Sequence, residues 1–139
     1  EGKVLIQTYD ESNDIFTLLR LNSYTDFIKK EIKEREQFNY PPYSRLIRIT
    51  LKNLRKKKVD LSADILAFSM RNSFGDRVLG PEYPFISKVR NYYQKDILLK
   101  IEKKASFSKA KYILDIIISN LRSKKDFRST RFVIDVDPL

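Results

Sequence analysis

Apolar residues recur along this chain with a period near 3.6 in some stretches and near 2 in others, and the switches between the two outline the elements. Residues 2–9, with Val4, Leu5 and Ile6 together, read as a short buried strand. Ser12 is placed to cap a helix carrying Ile15, Phe16, Leu18 and Leu19. Ser23 is the stronger cap, because Asp26 stands three residues on in the manner of a capping box. The helix after it has Tyr24, Phe27, Ile28 and Ile32 on one face. Lys29, Lys30, Lys33 and Arg35, interleaved with Glu31, Glu34 and Glu36, solvate the other. Pro41 and Pro42 fix φ twice and push the preceding residues out of the helical region, so the helix ends before them.

The pattern then becomes a regular alternation. Residues 43–51 predict a strand with Leu46, Ile47, Ile49 and Leu51 and a wetter face at Arg45 and Arg48. Residues 56–74 predict a helix buried along Val59, Ala63, Leu66, Ala67 and Met70, with Gly75 as its terminator. Residues 78–89 are extended but interrupted by Pro81 and Pro84, which suits an edge or bulged strand. Arg90-Asn91 makes a turn into a strand over 92–101. Ser106 caps a helix with Phe107, Ala110, Leu114, Ile117, Ile118 and Leu121 inward, and residues 128–136 close the sheet. The order is β-α-β-β-α-β. That predicts an α+β fold of the ferredoxin-like kind, a four-stranded antiparallel sheet with two helices on one face, preceded by one strand and two helices.

Charge divides the chain at the proline pair. Residues 1–40 hold six Lys/Arg against eight Asp/Glu; residues 41–139 hold twenty-two against ten. Such a basic unit concentrates polyanions, most often nucleic acid. Three groups carry the excess. Lys52, Arg55, Lys56, Lys57 and Lys58 surround the first strand-to-helix loop. Lys88, Arg90 and Lys95 flank the hairpin beside Tyr92 and Tyr93. Arg122, Lys124, Lys125, Arg128 and Arg131 occupy the last helix-to-strand connection. Cations neutralise phosphate and tyrosine rings offer stacking faces for unpaired bases. Tyr92 and Tyr93 are adjacent and face opposite sides of their strand, so at most one is free to serve.

Catalysis finds no support. The chain has no His and no Cys, which removes nucleophile–His pairs, thiolate metal sites and disulfides. Three glycines cannot build a glycine-rich phosphate cradle. Asp135 and Asp137, two apart on a strand, are a candidate Mg²⁺ pair, although a hard cation wants more oxygens than two. The plainer reading has them ending the last strand and accepting turn hydrogen bonds. An RNA-recognition module shares this topology, but residues 92–101 lack its aromatic run. No long apolar segment and no leader pattern are visible, so a cytoplasmic protein without a membrane partner is expected. A strand arriving at residue 4 also needs neighbours, which suggests a piece of something larger.

Five stretches together resemble the PriA family of replication-restart helicases, also called primosomal protein N′. They are Gly2-Lys3-Val4-Leu5-Ile6-Gln7-Thr8-Tyr9, Tyr40-Pro41-Pro42-Tyr43, Val78-Leu79-Gly80-Pro81, Ile97-Leu98-Leu99-Lys100 and Ile134-Asp135-Val136-Asp137-Pro138. Asp10-Glu11 departs from the family's usual Asn/Asp-Pro. The resemblance implies that residues 1–9 are the end of a helicase lobe, 10–40 a helical linker and 41–139 a C-terminal domain similar in fold to a small-subunit ribosomal protein. It places the family's ATP- and Mg²⁺-binding motifs and its Zn²⁺-binding cysteines outside this segment, leaving it without cofactor. It implies DNA as a partner, forked or single-stranded, together with the helicase lobes of the same chain. It further implies docking of the acidic tail of the single-stranded DNA-binding protein SSB near the interface with the helicase lobes, for which Arg90, Tyr92 and Lys95 are the candidate residues here. The family's Arg-x-x-x-Gln pattern for that tail falls here on Tyr92 and Asp96, and Asp96 would repel an acidic ligand. The expectation is a non-catalytic DNA- and partner-binding domain. Its rivals are a structural docking module and a ribosomal-protein-like RNA binder.

Overall fold

The computed structural model describes residues 2–138 and divides after Phe38 into two compact units. In the first unit the expected strand does not form. Residues 2–8 lie in neither helix nor strand, and Val4 and Leu5 are 87% and 96% exposed. A strand without a partner leaves its backbone groups unpaired, so local pattern alone does not make one. Helix α1 (Asp14–Arg20) is capped by Asn13, whose Oδ1 accepts from the Ile15 N–H at 3.0 Å. Ser12, the expected cap, instead donates its hydroxyl to Asp10 at 2.6 Å. Helix α2 (Tyr24–Gln37) does follow Ser23, but that hydroxyl bonds Asp26 rather than a backbone N–H. Ile15, Leu18, Leu19 and Phe27 line an apolar cleft between the two helices.

The second unit carries β1 (Ser44–Asn53), α3 (Lys56–Phe74), β2 (Val78–Glu82), β3 (Lys88–Val89), β4 (Tyr92–Glu102), α4 (Phe107–Ser123) and β5 (Arg131–Val136). The sheet runs β2-β4-β1-β5, antiparallel throughout, with β3 also on β4. This is the ferredoxin-like order expected. The second strand of the pattern is split into β2 and β3, with Pro84 in the break and Pro81 at a register irregularity between Leu79 and Glu82. Gly75 ends α3 at φ +60°, where L side chains are disfavoured. Gly80 sits at φ +89°, and a Cβ there would meet the Asp96 carbonyl oxygen at 2.8 Å, so only glycine lets β2 approach β4.

Alternation along β1 and β4 decides what each side chain meets. Ile47, Ile49 and Leu51 pair in register with Leu99, Ile97 and Lys95, on the face covered by the helices. Val59, Ala63, Leu66 and Met70 of α3 and Ala110, Leu114, Ile118 and Leu121 of α4 close the core over them. Each fully buried Val, Leu, Ile or Met side chain here contributes about 1.5–3 kcal/mol. The other phase (Arg48, Thr50 and Lys52 of β1; Tyr92, Gln94, Asp96 and Leu98 of β4) forms the face the helices do not cover.

Candidate nucleic-acid interface

The antiparallel order brings the three basic groups, far apart in sequence, to one end of the sheet. β1 finishes at Asn53 opposite Tyr93, where β4 begins, and Lys52 pairs with Arg131, where β5 begins. The β1–α3 loop, the β3–β4 turn and the α4–β5 connection therefore share that end.

Buried polar contacts fix two of these segments to each other. The Asn53 side-chain amide donates to Thr130 Oγ1 at 3.1 Å and Ser129 Oγ at 3.3 Å, while its Oδ1 accepts from the Arg55 N–H at 3.0 Å. Ser62 Oγ lies 3.0 Å from Thr130 Oγ1 and donates to the Lys58 carbonyl at 2.7 Å. Asn53, Ser62 and Thr130 are all buried, so replacing any one strands a desolvated partner. The hairpin joins this frame through Arg131, whose guanidinium stands 4.7 Å from the Tyr92 ring centre. Its tip is a two-residue turn with Arg90 at φ 47° and Asn91 at φ 67°, the geometry whose twist matches a hairpin.

Electrostatics at this end favour an anion over stability. The first turn of α3 holds Lys56, Lys57 and Lys58 after Arg55 and contains no acid, although the helix N-terminus is itself the positive end of the peptide dipoles. Arg55, Lys57, Arg90, Lys124, Lys125 and Arg128 are exposed and form no ion pair among the described residues.

A family model described as "Primosomal protein N C-terminal domain" matches residues 36–139. The chain belongs to that family. It is 30% identical to the replication restart protein PriA of Synechocystis over 99% of its length, and 24% identical to that of Bacillus subtilis over the same share. It is 28% identical over 73% of its length to the PriA of Thermotoga maritima. The chain spans only 16%, 17% and 14% of those relatives.

Within this PriA C-terminal domain the residues singled out from sequence separate clearly. Arg90, Arg122, Lys124, Lys125, Arg128 and Arg131 reach the common end, Arg122 lying 5.0 Å from the Phe132 ring centre. Lys88 sits 5.0 Å from the Tyr93 ring centre, and Tyr93 packs against the core. Tyr92 is half-buried on the open face, which makes it the tyrosine available for stacking.

Lys95 is different. It shares the phase of Ile97 and Leu99 and turns under the helices, where its side chain is 13% exposed. There it meets Asp60 at 3.1 Å and Asp64 at 3.6 Å. Tyr83 donates its hydroxyl to the same Asp60 carboxylate. Burial pushes Asp60 up, but the bonds from Tyr83 and Lys95 and the charges of Lys95 and Lys56 outweigh it and hold the carboxyl below its ordinary value. Burial and the neighbouring Asp60 push the Tyr83 phenol up to about 12. Lys95 is thus committed to the protein, and strand parity with Ile97 was the signal for it. Asp96 lies on the open face and accepts from Thr50 Oγ1 at 2.6 Å.

Asp137 stands beyond β5, accepting from Arg45 at 2.6 Å and from the Leu46 N–H at 3.2 Å. The Asp135/Asp137 pair thus ends the last strand with Asp137 engaged in hydrogen bonds. Among the described residues, no three of His, Cys, Asp and Glu gather as metal ligands. No described helix is long and apolar enough to cross a membrane.

Proposed function

We propose that this chain is a non-catalytic DNA-binding domain of a replication-restart helicase, acting in the cytoplasm at stalled forks. Arg55, Lys57, Arg90, Lys124, Lys125 and Arg128 contact phosphate, and Tyr92 backed by Arg131 offers a ring to an unpaired base. The observation that supports this reading is the convergence of three basic segments, held by the Asn53–Ser62–Thr130 contacts, at the end where the Tyr92 ring lies. Preorganised cations of this kind release counterions from DNA without first being ordered. The chain lacks the Cys and His of a usual Zn²⁺ site and the glycine-rich loop of a phosphate cradle, so no ATP, Mg²⁺ or Zn²⁺ is assigned to it in this reading. They belong to the larger part of the protein, as does the helicase activity.

The same end would accept the acidic tail of SSB. With Lys95 held by Asp60 and Asp64, that docking rests on Lys88 and Arg90 beside Tyr92. Fluorescence anisotropy of labelled forked, duplex and single-stranded DNA at two salt concentrations tests the reading. Salt-sensitive binding that favours the fork is expected. Absence of binding at low salt, with binding of an acidic peptide, would make this a docking module.

A further inference from the structure

The segment between β2 and β3 projects apolar side chains yet is held firmly. Phe85 is 105% exposed and Ile86 62% exposed, on a surface rich in charge. The segment is pinned on both sides. Tyr83 bonds Asp60 of α3; the Gln94 N–H donates to the Ser87 carbonyl at 2.9 Å, and the Gln94 side-chain amide donates to the Ile86 carbonyl at 3.0 Å. A phenyl ring presented in full on a backbone anchored before and after it is ready to be covered with little ordering entropy lost.

Its surroundings say by what. Lys56 Nζ stands 5.2 Å from the Tyr83 ring centre, and Lys88 begins the strand three residues after Phe85. Over residues 78–94 the one acid is Glu82, against Lys88 and Arg90. Asp60 of α3, which Tyr83 reaches, is occupied by that hydroxyl and by Lys95. An exposed ring among cations suits a ligand that is aromatic and anionic together, which is a nucleotide rather than an apolar protein face.

We infer that Phe85 is a stacking residue for an unpaired base, a second platform in addition to Tyr92 that makes the domain prefer DNA containing single-stranded positions. This rests on the DNA-binding reading above. Because the ring carries no charge, it changes discrimination and leaves the salt dependence alone, whereas the cations do the reverse.

The test measures Phe85→Ala and Phe85→Trp against the parent chain, on duplex and on forked DNA with an unpaired arm. Phe85→Ala is expected to weaken fork binding about tenfold with duplex binding and salt slope unchanged. Since the chain has no Trp, Phe85→Trp supplies a single indole. It should retain fork affinity and show fluorescence quenched by the unpaired arm and not by duplex. A parent that binds DNA with Phe85→Ala indistinguishable from it overturns the inference alone and assigns the ring to a protein contact. A parent that binds no DNA at low salt overturns both readings.

Discussion

The two ends of the ferredoxin-like sheet are built from the same strands and use their arginines in opposite ways. At the end where β1 starts, Arg45 pairs with Asp137 at 2.6 Å and Arg77 with Glu102 at 2.8 Å, and Arg45 also stacks 3.8 Å from the Phe107 ring centre. At the end where β1 finishes, Arg55, Lys57, Arg90, Lys124, Lys125 and Arg128 extend from loops and helix ends without ion pairs among the described residues. One end uses its arginines to hold elements together, with Lys103, Lys104 and Lys109 exposed beside them; the other holds elements together with buried Asn53, Ser62 and Thr130 and leaves Arg55, Arg90 and Arg128 to solvent. Net charge is therefore a poor guide to a binding surface, and the distinction between paired and unpaired cations is a better one.

The largest expected effect comes from stripping the unpaired end. Replacing Arg55 and Arg128 by Ala and Arg90 by Asn, which tolerates its positive φ, should lower DNA affinity on the order of 100-fold at low salt. It should also reduce the log–log salt slope by roughly 2–3. The matched change at the other end, Arg45→Ala with Arg77→Ala, should leave that slope untouched. Equal losses from the two variants would erase the difference between the ends.

Lys95→Met sharpens the comparison within one strand. It leaves Asp60 and Asp64 without their cation and should destabilise the domain by about 1–2 kcal/mol in urea unfolding. DNA binding should change less than about twofold. A reduced salt slope in this variant would return Lys95 to the surface.

The smallest effect is an acid dependence at the paired end. Hydrogen bonds from Arg77 and Arg45 hold Glu102 and Asp137 below their ordinary values of 4.5 and 3.8. Depressed carboxyl values mean stability that is full above the unfolded values and is lost as pH falls through the folded ones. Melting temperature should thus drop below about pH 4.5, and drop less in the Arg45→Ala, Arg77→Ala variant. The pairs are half-exposed and screened by solvent, so the difference is small. An identical pH profile for the two proteins would show that the pairs contribute nothing.

Much of the fold was legible because local rules and tertiary packing agree. α3 runs over the predicted 56–74, Ser106 caps α4 by accepting from the Lys109 N–H, and Arg90-Asn91 forms the turn. Two features were not legible for physical reasons. Residues 2–9 carry a strand-like pattern, but a strand exists only where another chain segment offers its edge. The position of Phe85 depends on the bond from Tyr83 to Asp60 of α3 and on Gln94 reaching across the hairpin to Ile86, neither of which a hydrophobic pattern encodes. Lys95 lies between these cases. Its phase with Ile97 was readable, while its partners on α3 became visible only with the helix in place.

The most direct measurement is to map amide chemical-shift changes on this 139-residue chain as forked DNA is added. Shifts confined to residues 53–58, 83–93 and 122–131 are expected. Shifts centred instead on Arg45, Arg77 and residues 102–111 would contradict the assignment of DNA binding to the unpaired end.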